Sequence, residues 1–123
     1  MQVTRIYTGD DERSHFEDLD IPLSDTGMGQ MSGAIATTAA FFRTTHDVGD
    51  LDFHVAPRRQ FVIHLAGRAE IETGSGDARQ FGVGDILLAD DTTGQGHISR
   101  EVEGPRFQVF VGLDESVDLE RWR

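Results

Sequence analysis

Hydrophobic residues in this chain occur in short runs of strand length, broken by glycine, aspartate and proline. Few segments show the period of about 3.6 residues that marks an amphipathic helix, and short apolar runs of this kind are typical of β-strands. Strands are predicted at Gln2–Tyr7, Ala34–Thr45, Phe53–Val55, Gln60–Leu65, Ala69–Thr73, Ala78–Phe81, Ile86–Ala89, Ile98–Val102 and Phe107–Leu113. So many short strands in one small chain favour a β-sandwich or a closed barrel.

The segments between these strands are rich in turn-forming residues. Residues 74–77 read Gly-Ser-Gly-Asp and residues 82–85 read Gly-Val-Gly-Asp, and both predict tight turns because glycine adopts positive φ at little cost. Asp10–Gly33 is acidic and is predicted to be irregular, while Ser116–Trp122 is predicted to form one helical turn. Four apolar residues are expected to attach the irregular segment to the body: Phe16, Leu19, Ile21 and Leu23.

The length of 123 residues fits a single domain. Residues 1–33 are predicted to form an N-terminal strand and an irregular arm, residues 34–113 the barrel core, and residues 114–123 a C-terminal tail. Ala34–Thr45 is long, low in charge and β-prone, so it is an edge that a soluble protein has to cover. We therefore expect a homodimer that pairs through this strand.

The charge of the chain narrows the range of partners. With 22 acidic and 11 basic residues the formal net charge is −11, which argues against nucleic acid and anionic membranes as partners. The first residues show no apolar signal segment and no run is long enough to span a membrane, so we expect a cytoplasmic protein. The absence of cysteine excludes disulfides and thiolate metal sites.

Polar residues alternate with apolar ones in the strand Gln60–Leu65. Successive side chains of a strand face opposite sides, so Gln60, Val62 and His64 share one face. The opposite face is apolar and is predicted to be core: Phe61, Ile63 and Leu65. An amide and an imidazole on an inner face need hydrogen bonds or water, which predicts a polar cavity there.

The segment from Gly49 to Gly67, GDLDFHVAPRRQFVIHLAG, resembles the first sequence motif of the cupin superfamily, in which His-x-His is followed by Glu and then Gly. His54 stands at the first His position and Gln60 at the Glu position, whereas Ala56 replaces the second His. Gly84–His97 is similar to the second cupin motif, with Gly94 and His97 at the Gly and His positions, Thr92 in place of Pro, and a longer loop before His97.

The resemblance implies an all-β double-stranded β-helix, the cupin jelly-roll barrel. It also implies a site for one divalent transition metal (Zn, Fe, Mn or Ni) on His54, Gln60 and His97, in a family whose common ligands are three His and one Glu. A site with a neutral amide instead of a carboxylate binds a divalent cation less tightly. Two replacements for the missing ligand remain open: His64, or a carboxylate from Asp90 or Asp91.

Further roles are assigned around the same cavity. His64 and His97 are the candidate catalytic residues, and Gln60, Arg59 and Phe110 are the candidate substrate-binding residues. Arg58 and Arg59 have two interpretations, as bidentate ligands of a substrate carboxylate or as ion pairs at the rim. Two other histidines lie in polar segments and are expected to face solvent: His15 and His46.

Two functions from different classes are consistent with this pattern. One is a metal-assisted enzyme of the isomerase, lyase, cyclase or dioxygenase type that acts on a small organic molecule. The other is a binding module whose cavity holds a small-molecule ligand without metal. The enzyme is the first interpretation, because three inward-facing histidines at one end of a barrel are a costly arrangement for a site that needs only shape, although one fold supports many activities.

Overall fold

A computed structural model describes residues 1–45 and 49–123 of the chain. Within that part the protein is almost entirely β-structure, and the predicted all-β class is confirmed. The strands are β1 (Gln2–Thr8), β2 (Ser14–Asp20), β3 (Ser24–Asp25), β4 (Gln30–Met31), β5 (Thr37–Thr44), β6 (Leu51–His54), β7 (Gln60–Thr73), β8 (Ala78–Phe81), β9 (Ile86–Asp90) and β10 (His97–Leu113). The predicted helical turn in the tail is present as a short 3₁₀ helix at Leu119–Trp122.

Eight of these strands form one mixed sheet in the order β2-β1-β9-β7-β10-β5, with β8 also paired to β7 and β6 to β10. The pairs are antiparallel except for β1 and β9, which run parallel. Strands β3 and β4 make a separate small hairpin. No helix in the described ranges has the length and apolar character needed to cross a membrane.

Two long strands, β7 and β10, organise the sheet. They pair with each other from His97 opposite Thr73 to Gly112 opposite Gln60. Along its other edge, β7 pairs first with β9 and then with β8, while β10 pairs first with β6 and then with β5. The paired strands β7 and β10, called the ribbon below, therefore have one set of neighbouring strands at each end. The ribbon brings residues that are distant in sequence onto one face.

The ribbon changes register near its middle, where Gly67 lies. The pairing of β7 with β10 shifts between Glu101 and Gln108, and irregularities of this kind bend a strand and increase its twist. Gly67 has a φ of 77°, and a Cβ atom there would lie 2.6 Å from the carbonyl oxygen of Glu103 and 2.8 Å from that of Pro105. Only glycine fits this position, because both its backbone conformation and the space exclude a side chain.

Two apolar clusters cover opposite faces of the sheet. Alternation separates neighbours in sequence, so that Phe61 belongs to the first cluster and Val62 to the second. The first cluster comprises Val3, Leu19, Ile21, Phe61, Leu88, Leu113, Leu119 and Trp122. The second comprises Ile6, Ala56, Val62, Ile71, Phe81, Leu87 and Ala89. The second cluster continues into the wall of a polar cavity.

Several predicted elements differ from the observed ones. The prediction that Asp10–Gly33 is irregular is wrong for Ser14–Asp20, which pairs in full with β1 and has Asp18 and Asp20 exposed. The predicted strands Gln60–Leu65 and Ala69–Thr73 are parts of β7, since Gly67 bends the strand without ending it. Leu65, for which alternation predicts a core position, is 48% exposed beside this bend.

Candidate functional site

A cavity of about 250 Å³ lies against the face of β7 that carries Gln60, Val62 and His64. His54, His97 and Phe110 line it as well. The structure therefore brings together on one wall the four polar side chains for which the sequence predicts a shared cavity.

Direct strand pairing places His54 beside His97. His54 ends β6, His97 begins β10, and the two residues are register partners with ring centroids 4.5 Å apart. Gly96 has a φ of 77°, and a Cβ there would collide with the main-chain carbonyl of His54. The glycine therefore allows the close approach of the two chain segments that sets the histidines side by side.

A buried carboxylate fixes the orientation of the His97 ring. Nδ1 of His97 lies 2.5 Å from Oδ2 of Asp91, a residue with no exposed surface. The same oxygen accepts a 2.6 Å hydrogen bond from the hydroxyl of Ser14, and Oδ1 of Asp91 has no partner in the described part of the chain. Because Nδ1 of His97 is bound to Asp91, Nε2 is the ring nitrogen that remains for a ligand.

Backbone carbonyls fix the two other histidines in a similar way. Nδ1 of His54 donates to the carbonyl oxygen of Asp52 at 2.9 Å, and Nδ1 of His64 donates to that of Asp85 at 3.0 Å. Because a carbonyl oxygen only accepts, a neutral ring in either position leaves Nε2 as an acceptor. Burial lowers the pKa of His64, so that ring is neutral near pH 7.

Three arginines also line the cavity. Arg58 donates a 2.8 Å hydrogen bond to Oε1 of Gln60, and Arg43 donates from Nε (3.1 Å) and from Nη2 to Oε1 of Gln108. Arg106 instead forms a 2.9 Å ion pair with Glu101. Within the described ranges no acidic side chain contributes to the cavity wall.

Two residues assigned to the site lie elsewhere. Arg59 is a predicted substrate-binding residue, but its guanidinium donates to the carbonyl oxygens of Asp114 (2.7 Å) and Val117 (2.9 Å) and does not line the cavity. Arg59 lies in the bend before β7, which begins at Gln60, so strand alternation does not determine where its side chain goes. Asp90 binds Arg5 at 2.6 Å, so it does not replace a missing ligand in the cavity.

His15, the other histidine in the described part of the chain, does not line the cavity. His15 is 38% exposed and contacts Asp11 at 2.9 Å, in agreement with a solvent-facing position. His46 lies outside the described residues.

Sequence reasoning missed Arg43, Gln108 and the role of Asp91. Arg43 is the one charged residue in β5, TTAAFFRT, and that isolated charge is the signal that marks it. Its contact with Gln108 depends on the register of β5 on β10, which the sequence does not show. Asp91 is identifiable as an acid but not as the partner of His97, because the loop from 91 to 96 brings it back behind the ring.

A divalent metal does not fit the donors that are present. His54, His64 and His97 each keep Nε2, but the three rings do not form a group able to hold a metal. Oε1 of Gln60 already accepts from Arg58. No group of three or more His, Asp or Glu side chains able to hold a metal exists among the described residues. Guanidinium groups on the same wall would also repel a dication.

No protein-family model matches this sequence, and no curated protein matches it either. The function is therefore argued from the chemistry of the cavity itself.

Proposed function

We propose that this chain is a cupin-type protein that binds a small organic molecule in its cavity and catalyses a proton transfer on it without a metal. The observation that carries the proposal is the pairing of His97 with buried Asp91 at the cavity wall. The ribbon of β7 and β10, with different neighbours at its two ends, supports a double-stranded β-helix as the fold, and the motif positions of His54 and His97 support the family.

His97 has the arrangement of a general base. Asp91 accepts the Nδ1 proton, holds the ring in the tautomer with an unprotonated Nε2, and stabilises the imidazolium that forms when Nε2 takes a proton. The proton would come from a carbon or oxygen of the ligand, and its return to another atom of the ligand completes an isomerisation, an elimination or a ring closure. Neutral His64 and the adjacent His54 are the groups positioned to take part in the return step.

The test is deuterium incorporation from D₂O into pyruvate, malonate and the neutral ketone dihydroxyacetone, followed by proton NMR. We expect exchange that is unaffected by EDTA. Asp91→Asn should slow it by about 10²–10⁴-fold, because an amide oxygen can still accept from Nδ1 and from Ser14 but no longer carries the negative charge that stabilises the imidazolium. His97→Asn should abolish the enzyme-dependent exchange, with far-UV circular dichroism as the check that both variants fold.

Two results would overturn the proposal. Equal exchange by the parent chain and His97→Asn removes the role of the imidazole. A probe that binds in the cavity and keeps its C–H protons makes the cavity a binding module. Elemental analysis of untagged protein adds an independent check, since a stoichiometric metal whose removal stops exchange contradicts metal-independent catalysis.

A further inference from the structure

The cavity wall has the opposite charge to the molecule as a whole. The chain carries 22 acidic residues against 11 basic ones, yet three arginines and no acid line the cavity within residues 1–45 and 49–123. Glu101 neutralises Arg106 by an ion pair, whereas Arg43 and Arg58 donate to amide oxygens that carry no charge. The described lining is therefore basic, in a chain whose formal net charge is −11.

Two buried glutamines add uncharged donors to the same wall. Gln60 and Gln108 are 4% and 3% exposed, and both line the cavity. A guanidinium group has only donors, so each amide turns its oxygen to its arginine and keeps its NH₂ group on the other side. Neither NH₂ group has a hydrogen-bond partner in the described part of the chain. A ligand with acceptor oxygens would satisfy both.

The guanidinium groups of Arg43 and Arg58 each lie over an aromatic ring. The guanidinium of Arg43 lies 4.8 Å from the ring centroid of Phe110, and that of Arg58 lies 4.5 Å from the ring centroid of Phe41. Stacking occupies the face of a guanidinium and leaves its N–H edge for planar acceptors such as carboxylate. Burial of part of its side chain, followed by the nearby charge of Arg106, lowers the pKa of Arg43.

We infer that the cavity takes a small organic carboxylate, whose oxygens accept hydrogen bonds from Arg43 and Arg58 and whose remaining atoms lie beside His97. Arg43 and Arg58 both line this cavity of about 250 Å³. Val62 and Phe110 supply the apolar surface for its carbon atoms. This inference rests on the proposed function, because it names the substrate class of the same site.

The experiment measures binding of malonate, pyruvate, inorganic phosphate and neutral malonamide by isothermal titration calorimetry. We expect malonate and pyruvate to bind, and malonamide to bind at least tenfold more weakly than malonate. Malonamide that binds as tightly as malonate would overturn the inference, and so would phosphate that binds while both carboxylates do not.

Matched variants test the two arginines separately. Arg43→Gln and Arg58→Gln should each weaken carboxylate binding by about tenfold or more, as expected for the loss of a charge-assisted hydrogen bond. Arg100→Gln removes the same charge from an exposed ion pair with Glu70 and Glu72, so it should leave the affinity unchanged. If the three variants lose affinity equally, the effect is one of net charge and the inference is wrong.

The outcomes separate this inference from the proposed function. Carboxylates that bind through Arg43 and Arg58 but never exchange protons leave the substrate class standing and overturn the catalytic role of His97. Exchange on dihydroxyacetone with no preference for carboxylates leaves the catalytic role of His97 standing and overturns the substrate class.

Discussion

The histidines and arginines that face the cavity are each held by a hydrogen bond or an ion pair. Asp91 holds His97, the carbonyl groups of Asp52 and Asp85 hold His54 and His64, and an amide oxygen holds Arg58. These partners fix the side chains before a ligand arrives, so little ordering remains to be done on binding. The partners come from loops and strand ends whose register determines which atoms meet.

The burial of His64 predicts that the stability of the protein depends on pH. Burial holds the pKa of His64 in the folded protein below the value of about 6.5 found in an unfolded chain. Below that pH the unfolded chain binds a proton that the folded protein does not, so the free energy of unfolding should decrease with falling pH, by at most about 1.4 kcal/mol per pH unit from this group.

Urea denaturation between pH 5 and 8 measures this dependence. His64→Asn keeps a donor for the carbonyl group of Asp85 and removes the titrating ring, so its stability should fall less steeply below about pH 6.5. Parallel curves for the parent chain and the variant over the whole range would contradict the prediction.

Among the elements, the face of β7 that meets the cavity was predictable, because alternation depends only on the order of residues. The wall that β5 contributes was not, since the contact of Arg43 with Gln108 requires the register of two strands far apart in sequence. Strand β2 was missed for another reason: SHFEDLD is acidic, and its apolar positions are too few to mark a strand before its pairing with β1 is known.

The bend of β7 at Gly67 gives a prediction about stability. Gly67→Ala puts a side chain at positive φ against two carbonyl oxygens, and we expect a loss of about 2–4 kcal/mol in the free energy of unfolding. Gly76→Ala is the matched control, because Gly76 has a φ of 87° but a Cβ atom added there would have no neighbour within 4 Å. Urea denaturation that gives equal losses for the two variants would show that the close contact is unimportant.

Strand β5 gives a prediction about assembly. Its pairing partner is β10 on one side, all eight of its residues are exposed in the isolated chain, and Phe42 is 74% exposed. Such an edge favours pairing with a second copy, and we expect light scattering to give twice the chain mass of 13.6 kDa at micromolar concentration.

Phe42→Lys should shift this equilibrium to the monomer, because it places a charge on the strand that the second copy would cover. Val83→Lys makes the same change at another exposed apolar residue, 71% exposed and outside β5, and should leave the dimer intact. A parent chain of 13.6 kDa under these conditions would refute the dimer.

At the scale of the whole molecule, the acidic composition argues against nucleic acid and anionic membranes as partners, but it does not identify a ligand. The net charge of −11 belongs to the whole chain, whereas the cavity is lined by Arg43, Arg58 and Arg106 and by no acidic side chain among the described residues. Eleven arginines spread along the chain give no hint of this segregation, because it arises only when β5, β7 and β10 come together. Motif spacing identified His54 and His97, and alternation identified His64. Arg58 was a candidate, but Arg43 and Arg106 were not identified.

The ribbon of β7 and β10 has a consequence for the time course of folding. Thr73 and His97 are its partners closest in sequence, and each later pair towards Gln60 and Gly112 closes a longer loop. Contacts between distant residues cost more chain entropy and slow the search for the native state, so folding should be slow for a chain of this size. His97 lies at one end of the ribbon and Gln60 at the other, so the complete binding surface arises only when the last pairs have formed. A nascent or partly folded chain therefore cannot hold the ligand, and the ligand stabilises only the finished protein.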